Sequence, residues 1–331
     1  MNTNKNNQIN KFPMLSALLH NQNKKHIFPA IFAILFIFLP CSTNTSFSDT
    51  TENVLIINSD MSIKNYSLAH TGFKSVIPNP KGEIDLGNKW KDEAELEKMI
   101  QKSNPAIIYC IGIKAYLFSH KLAKDTTLIF SSIINWRRLT MEENTYGISS
   151  ELLPSMQLMM YRYLFPKTSK IGVLYSKEYN EEWMQLARDD AKDIGISLVG
   201  MPINKKTNIR SALKKLLKNV DAVWLTSDPL VLSKTDSVRN IFQQCDTANI
   251  PVFTYSEAFI DAGATLVISA DIPTIGKQAA RLTLDLLSRQ KKKERVNIPA
   301  GSHISINLKK VEKNNLLLNT EALDSVNQII Q

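Results

Sequence analysis

The residues most suited to chemistry in this sequence are hydroxyls, amides and carboxylates that follow short apolar runs. In the stretch DAVWLTSDPLVLS, the run Ala222–Leu225 stops at a polar turn that contains Ser227 and Asp228. The same arrangement recurs along the chain, and it gives the candidate binding residues Ser59, Gly112, Ser131, Ser132, Asn135, Trp136, Ser176, Ser227, Asp228, Ser256, Glu257 and Asp271. Such groups form directed hydrogen bonds, which suits them to orienting a small ligand.

Each polar candidate also has a structural interpretation. Ser, Thr, Asp and Asn are the residues that cap helix N-termini and form turns. Asp228 precedes Pro229 and is therefore a good turn residue. From the sequence we expect Asp228→Ala to cause a large loss of affinity with little loss of stability. Unchanged binding with a lower melting temperature would instead make Asp228 only a turn residue. The indole of Trp136 belongs either to the core or to a ligand-stacking surface.

The sequence lacks the common catalytic motifs. It contains no G-x-S-x-G, no H-E-x-x-H, no G-x-x-x-x-G-K-[ST] and no C-x-x-C. Outside the N-terminal segment, the histidines are His70, His120 and His303, which lack metal-ligand spacing. We therefore expect no enzyme activity, no metal site and no cofactor.

The elements that position the candidates alternate between apolar runs and amphipathic stretches. Val54–Ile57 and Ile107–Ile111 are typical of strands buried on both faces, and helical patterns follow them. A first series of such pairs ends near residue 148 and a second begins at a helix predicted over 151–165. The pattern predicts an α/β fold of two Rossmann-like, doubly wound lobes with parallel sheets. In such sheets ligands bind beyond the carboxyl ends of the strands.

The N-terminal segment has a different composition. Residues 1–26 are polar with four lysines and no acid, and the apolar run Ile27–Cys41 follows. This order predicts a signal peptide or an N-terminal membrane anchor over residues 1–48. Ser46–Ser48 fits a cleavage site, and Cys41 leaves lipidation open although Pro40 precedes it.

Charge and cysteine content limit the partners. The net charge of +9 includes the four lysines of the N-terminal segment, and the remaining excess is spread along the chain, so we expect no nucleic-acid binding. Cys110 and Cys245 fall in a predicted strand and a predicted helix, as buried thiols do, and their spacing does not indicate a disulfide.

Several long stretches resemble a known family. They include NPAIIYCIGIKAY, LIFSSIINWRRL, ENTYGISSELLPSMQL, KIGVLYS, VDAVWLTSDPLVLS, IPVFTYSEAFIDAGATLVISAD and IGKQAARLTLDLL. Over about residues 53–310, the sequence resembles the ABC-transporter substrate-binding proteins that take up tryptophan and related small molecules. Gly112 is followed by Ile113–Ala115 where many relatives have a Thr-Pro pair, and Ile134–Trp136 stands where relatives often have an Asp-Pro pair. These departures change the groups that would meet an amino-acid ligand.

The resemblance implies a type I periplasmic-binding-protein fold with three crossovers between the lobes. Lobe one would comprise 53–148 and 269–295, and lobe two 149–268 and 296–331. The candidate residues would then face a cleft, with Asp271 at a hinge and with a small molecule bound between the lobes.

The expected function is an exported solute-binding protein. It would lie in the periplasm or elsewhere outside the cytoplasm, act as a monomer, and deliver its ligand to an ABC permease of the inner membrane. The alternative is a ligand-sensing receptor for a membrane signalling protein. An enzyme is the third hypothesis, and it ranks below the other two because no activated nucleophile or metal site is evident.

Overall fold

The structure is a computed structural model that describes residues 53–87, 92–290, 292 and 294–331. The predicted leader over 1–48, including Cys41, lies outside these residues. The described chain alternates strands and helices and forms two sheets, one of six strands and one of seven. The prediction of an α/β fold with two mainly parallel sheets is confirmed.

The first sheet has the strand order β11-β5-β4-β3-β1-β2, and every pairing in it is parallel. Its strands are β1 (Val54–Asn58), β2 (Gly82–Asp85), β3 (Ile107–Ile111), β4 (Thr127–Ser131), β5 (Thr145–Ile148) and β11 (Val296–Asn297). All residues of β1 and β3 are buried, which explains why these two runs are apolar without alternation.

The second sheet has the order β13-β12-β10-β9-β8-β6-β7. Its strands are β6 (Lys170–Ser176), β7 (Ser197–Ile203), β8 (Ala222–Leu225), β9 (Val252–Thr254), β10 (Leu266–Ala270), β12 (Ser302–Asn307) and β13 (Gln328–Ile330). The pairing of β10 with β12 is antiparallel, which the prediction of parallel sheets missed. The sequence pattern did not predict the short strand β13 either.

Nine α-helices lie in the described residues. They are α1 (Lys64–Lys74), α2 (Glu93–Ser103), α3 (Ile113–Leu122), α4 (Pro154–Leu164), α5 (Lys177–Asp193), α6 (Ile209–Leu216), α7 (Thr235–Thr247), α8 (Ile272–Leu287) and α9 (Leu308–Lys313). The helix predicted over 151–165 begins only at Pro154, because proline suits the first turn of a helix. Glu151 therefore lies in the connection that precedes α4.

Late in the chain, α8 returns to pack against α1. Two glycines allow the helices to approach closely: a Cβ on Gly276 would lie 2.1 Å from the Ala69 carbonyl oxygen, and one on Gly72 would lie 2.2 Å from that of Pro273. We define lobe one as the first sheet with the helices packed on it, including α8, and lobe two as the second sheet with its helices.

The chain passes between the sheets three times, after β5, after β10 and after β11. The strand pairing differs from two of the lobe borders expected from the sequence, the one before residue 269 and the one before residue 296. Ser269 and Ala270 pair with β12 in the second sheet, because β10 stays in register through its last residue. Val296 and Asn297 extend the first sheet by pairing with Gly147 and Ile148.

Within the described residues, no helix is both long and apolar enough to cross a membrane. Cys110 and Cys245 are both free and buried. Burial raises the pKa of each thiol to about 12, so both stay protonated at neutral pH.

Candidate functional site

A cavity of about 620 Å³ lies between the two lobes. Its walls come from the segment after β4, the first connection between the sheets, the start of α5, and the ends of β8, β9 and β10. In parallel sheets these carboxyl-terminal ends are where ligands bind. The volume lies within the range of roughly 300–1,000 Å³ that is usual for small-molecule sites.

Aromatic side chains from both lobes form much of the cavity wall. They are Trp136, Tyr179, Trp183, Trp224 and Tyr255. Trp224 is almost fully buried, and its ring meets that of Trp183 edge-on with centroids 5.0 Å apart. Edge-on packing fixes both indoles. The cavity therefore presents a rigid aromatic surface to a ligand.

Burial, with the nearby Glu151 carboxylate, raises the pKa of Tyr255 to about 12. Its phenol is therefore neutral at physiological pH and acts in the cavity as a hydroxyl group.

Two arginines stack on aromatic rings beside the cavity. The guanidinium of Arg137 lies 4.7 Å from the ring centroid of Trp136, and that of Arg138 lies 4.5 Å from the centroid of Tyr179. The second contact joins the segment after β4 in lobe one to the start of α5 in lobe two. Both distances fall within the range of attractive cation–π pairs.

Glu151 supplies a carboxylate that lines the cavity and is about 20% exposed. Its Oε1 accepts hydrogen bonds from the Asn135 backbone N–H at 3.1 Å and from the Ser227 hydroxyl at 2.9 Å. Its Oε2 lies 3.2 Å from Arg137 Nη1. This one carboxylate therefore binds residues of both lobes.

Three buried polar atoms of the cavity residues have no hydrogen-bond partner within the described chain. They are Trp136 Nε1, Ser150 Oγ and Thr226 Oγ1. A buried polar group without a partner is costly, and such groups in native proteins usually bond to water or ligand. All three atoms are shielded from solvent, so they carry unmet hydrogen-bonding capacity in the wall of the cavity but are not exposed to its interior.

Of the candidates predicted from the sequence, three line this cavity: Asn135, Trp136 and Ser227. Trp136 is half-buried rather than fully in the core, and it packs near Phe130 with ring centroids 6.4 Å apart. Asn135 has a left-handed backbone conformation, with φ 58° and ψ 38°, which asparagine tolerates better than most residues.

Asp228 does not line the cavity, and its carboxylate is fully buried within lobe two. Its Oδ2 accepts hydrogen bonds from the backbone N–H and the hydroxyl of Ser176, at 2.6 and 2.7 Å, and from Asn180 Nδ2 at 2.7 Å. Its Oδ1 accepts from the backbone N–H groups of Leu230 and Val231. The geometry therefore favours the turn interpretation for Asp228, and Ser176 is its partner.

Four candidates of lobe one use their polar groups, or their backbone, inside the lobe. The Ser59 hydroxyl accepts a hydrogen bond from the Ala115 N–H in the first turn of α3. Gly112 has φ 83°, and a Cβ there would lie 2.6 Å from Ser59 Oγ. The Ser131 and Tyr109 hydroxyls are hydrogen-bonded at 2.6 Å. Ser132 has φ 58°, and its hydroxyl is buried without a partner in the described chain, although it does not line the cavity.

The remaining three candidates also lie outside the cavity. Ser256 caps a short 3₁₀ turn by accepting from the Ala258 N–H, and Glu257 accepts a hydrogen bond from the Ser305 hydroxyl. Asp271 caps α8 by accepting from the Thr274 N–H at 3.0 Å. Ser256 and Asp271 therefore have the capping role that the sequence offered as the alternative to ligand binding, and Glu257 binds another segment of lobe two.

The residues that line the cavity and were not candidates include Glu151, Tyr179, Trp183 and Tyr255. Tyr255 lies between Thr254 and the candidate Ser256, so the position after β9 was a usable signal. Tyr179 and Trp183 stand four residues apart on α5, a spacing that equally fits a core stripe. Glu151 was not a candidate because the sequence pattern predicted that a helix begins at residue 151.

Among the residues that the structure describes, no three His, Cys, Asp or Glu side chains are close enough to hold a metal ion. The lining of the cavity comprises aromatic rings, hydroxyls, guanidinium groups and carboxylates. Such a set can bind and orient a small organic molecule.

Comparison with known proteins identifies the family. The sequence model of the ABC transporter substrate binding proteins matches residues 79–330. The chain belongs to this family. The resemblance inferred from its sequence motifs is therefore confirmed.

This substrate-binding protein is also similar to individual relatives. It is 22% identical over 217 residues to a protein of Clostridioides difficile (strain R20291) named tyrosine-binding protein, and the match covers 62% of each chain. The chain thus matches less than two thirds of the length of that relative.

Two solved structures share its fold. One is an ABC domain in complex with L-Trp from Streptococcus pneumonia, with 17% identity, a TM-score of 0.56, and coverage of 84% of this chain and 100% of the other. The second is a ligand-free, open substrate-binding protein with adhesive properties from Clostridium difficile, with 14% identity and a TM-score of 0.65, covering 84% and 99%. These likenesses support the two-lobed fold of the substrate-binding protein.

Proposed function

We propose that this substrate-binding protein captures a small molecule with an aromatic ring in the cavity between its lobes and delivers it to an ABC permease. The observation that carries the proposal is the cavity itself, which has aromatic walls from both lobes and is lined by a carboxylate. A ligand that contacts both walls stabilises the closed form, and a permease can recognise that form.

The aromatic walls favour a flat apolar group. Tyr179 and Trp183 belong to lobe two, while Trp136 belongs to lobe one, so a ring bound between them contacts both lobes. Offset or edge-on aromatic pairs contribute about 0.5–1.5 kcal/mol beyond the burial of apolar area. Ring recognition of this kind favours an aromatic ligand over an aliphatic ligand of equal size.

The polar atoms favour a ligand that also carries charged or hydrogen-bonding groups. The carboxylates that line the cavity, Glu151 among them, provide negative charge for an ammonium group, and the guanidinium groups of Arg137 and Arg138 provide positive charge for a carboxylate. An aromatic amino acid has both groups beside a ring. The names of two relatives, one a tyrosine-binding protein and one a complex with L-Trp, support this ligand class.

Export of the protein is part of the proposal. It rests on the lysine-containing polar segment followed by the apolar run Ile27–Cys41, and on membership of a family whose proteins serve ABC transporters. Either a cleaved signal peptide or a retained anchor would place the binding lobes outside the cytoplasm.

Isothermal titration calorimetry of the full chain tests the ligand class. The probes are L-tyrosine, L-tryptophan and L-phenylalanine, with L-leucine as the aliphatic comparison. We expect at least one aromatic amino acid to bind at least about tenfold more tightly than L-leucine, a difference of about 1.4 kcal/mol. Equal affinities, or binding of L-leucine alone, would reject an aromatic ligand.

A pair of tyrosine variants tests the place of binding. Tyr179→Ala removes a ring from the cavity wall, and we expect it to weaken aromatic binding by about 1 kcal/mol, or roughly fivefold. Tyr163→Ala is the matched control, because Tyr163 is 48% exposed on α4 and does not line the cavity. Similar losses in both variants would contradict binding in this cavity.

A further inference from the structure

The Glu151 carboxylate lies at a junction of three chain segments. Glu151 belongs to the first connection between the sheets, Asn135 to the segment after β4 in lobe one, and Ser227 to the segment after β8 in lobe two. Its Oε1 accepts from the Asn135 backbone N–H at 3.1 Å and from the Ser227 hydroxyl at 2.9 Å. One oxygen atom therefore joins both sides of the cleft.

A direct hydrogen bond between the lobes runs beside this junction. Asn135 Nδ2 donates to the Ser227 carbonyl oxygen at 2.9 Å. Asn135 thus uses its backbone N–H for Glu151 and its side chain for Ser227. Asn135 has a left-handed backbone, φ 58°, in this arrangement.

Charge strengthens the junction. Hydrogen bonds to an ionised carboxylate are roughly twice as strong as those between neutral groups. Arg137 Nη1 lies 3.2 Å from Glu151 Oε2, but its side chain is 58% exposed, so this ion pair contributes little. The two hydrogen bonds to Oε1 are better shielded from water, because the Glu151 side chain is only 20% exposed.

We propose that Glu151, Asn135 and Ser227 form an interlobe latch that sets the fraction of molecules with a closed cleft. Separation of the lobes moves Asn135 away from Ser227, so that Glu151 keeps at most one of its two partners on Oε1. All bonded atoms belong to this chain. The latch therefore favours closure in the absence of any ligand, and it goes beyond the proposed function.

The closed fraction that the latch sets also determines the apparent affinity for a ligand. When only the closed fraction binds tightly, the apparent dissociation constant rises as that fraction falls. Loss of a hydrogen bond to a charged group changes a two-state ratio by roughly tenfold or more. We expect removal of the Glu151 carboxylate to lower the closed-to-open ratio by about tenfold.

Distances between spin labels on the two lobes measure that ratio without any ligand. Lys64 at the start of α1 and Lys206 after β7 are exposed, so Lys64→Cys and Lys206→Cys provide labelling sites on the full chain. Cys110 and Cys245 are buried, and Cys41 is replaced by serine in all proteins. Double electron–electron resonance then gives the populations at short and long distance.

In this background we expect Glu151→Ala to lower the ratio of the short-distance to the long-distance population by about tenfold. Ser227→Ala removes only the hydroxyl, and we expect a smaller shift in the same direction. Because the two residues share one hydrogen bond, the double variant should shift less than the sum of both changes in free energy. The matched control is Glu182→Ala, an exposed glutamate of the cavity rim, with a ratio within about twofold of the parent.

Unchanged populations in Glu151→Ala, or an equal shift in Glu182→Ala, would overturn the latch. Additive effects of Glu151→Ala and Ser227→Ala would also overturn it, since the two residues would then act separately. If Glu151→Ala does not fold, Ser227→Ala decides: a shift toward the long distance supports the latch, and an unchanged ratio rejects it. No amino-acid ligand enters this measurement, so failure of the latch and failure of the proposed ligand class remain distinguishable.

Discussion

Replacing Asp228 with alanine removes the acceptor for five hydrogen-bond donors in a buried loop. The donors belong to Ser176, Asn180, Leu230 and Val231, and Ser176 contributes both its N–H and its hydroxyl. Asp228 and Ser176 are both fully buried, and Val231 is 1% exposed, so water does not replace the lost acceptor at those positions. We expect Asp228→Ala to act mainly on stability.

The magnitude follows from the number of donors left without a partner. The backbone N–H groups of Ser176 and Val231 are the most enclosed, and each unsatisfied buried group costs about 1–3 kcal/mol. The loss for Asp228→Ala is therefore roughly 4 kcal/mol in the free energy of unfolding. For a protein of this size, about 2 °C of melting temperature corresponds to 1 kcal/mol, so we expect a decrease of roughly 8 °C.

Differential scanning calorimetry of the full chain measures this decrease, with Asp236→Ala as the control. Asp236 is 89% exposed at the start of α7 and pairs with Arg239. Its removal should change the free energy of unfolding by less than about 0.5 kcal/mol. A melting temperature for Asp228→Ala within about 1 °C of wild type, together with a large loss of ligand affinity, would refute the structural role and restore the ligand-contact hypothesis.

Two further predictions concern other contacts of the fold. The hydrogen bonds from Lys310 and Lys313 hold the pKa of Asp246 below its ordinary value of 3.8, so this carboxylate contributes stability that is present above that pH and is lost as the pH falls through the lower folded pKa. Because Asp246 is 42% exposed, Asp246→Asn should cost less than about 1 kcal/mol at pH 7. The variant should also reduce the acid dependence of urea unfolding below pH 4, and an unchanged acid dependence would count against this assignment. Gly276→Ala should lower the free energy of unfolding by about 1–3 kcal/mol, because its Cβ would meet the α1 backbone. Lys277 is exposed on the same helix, and Lys277→Ala should change the free energy of unfolding by less than about 0.5 kcal/mol. Equal effects in chemical unfolding would contradict close packing of α1 and α8.

The fold was predictable because local pattern and burial agree along most of the chain. Val54–Ile57 and Ile107–Ile111 are apolar runs whose residues are all buried, and Asn58 and Gly112 follow them at the ends of the strands. The family motifs added the late return of the chain to lobe one. The antiparallel pairing of β10 with β12 was not predictable from either run alone, because strand direction depends on the path of the connecting chain.

The cavity was predictable only in part, because a side chain that caps a turn and one that binds a ligand have the same residue type. Asp228 meets Ser176, which lies 52 positions earlier in the sequence, and that contact decides its role. Tyr179 and Trp183 form a cavity wall, yet their helical spacing equally fits a core stripe. Asn135 and Trp136 were candidates because they come within five residues of the carboxyl end of β4.

A crystal structure of the full chain with the aromatic amino acid that binds most tightly tests the central claim most directly. The account predicts electron density for the ring beside Tyr179 and Trp183, with the polar end of the ligand toward Glu151 and Arg137. Density for the ligand beside Ser59 and Gly112, with the cavity empty, would contradict the account.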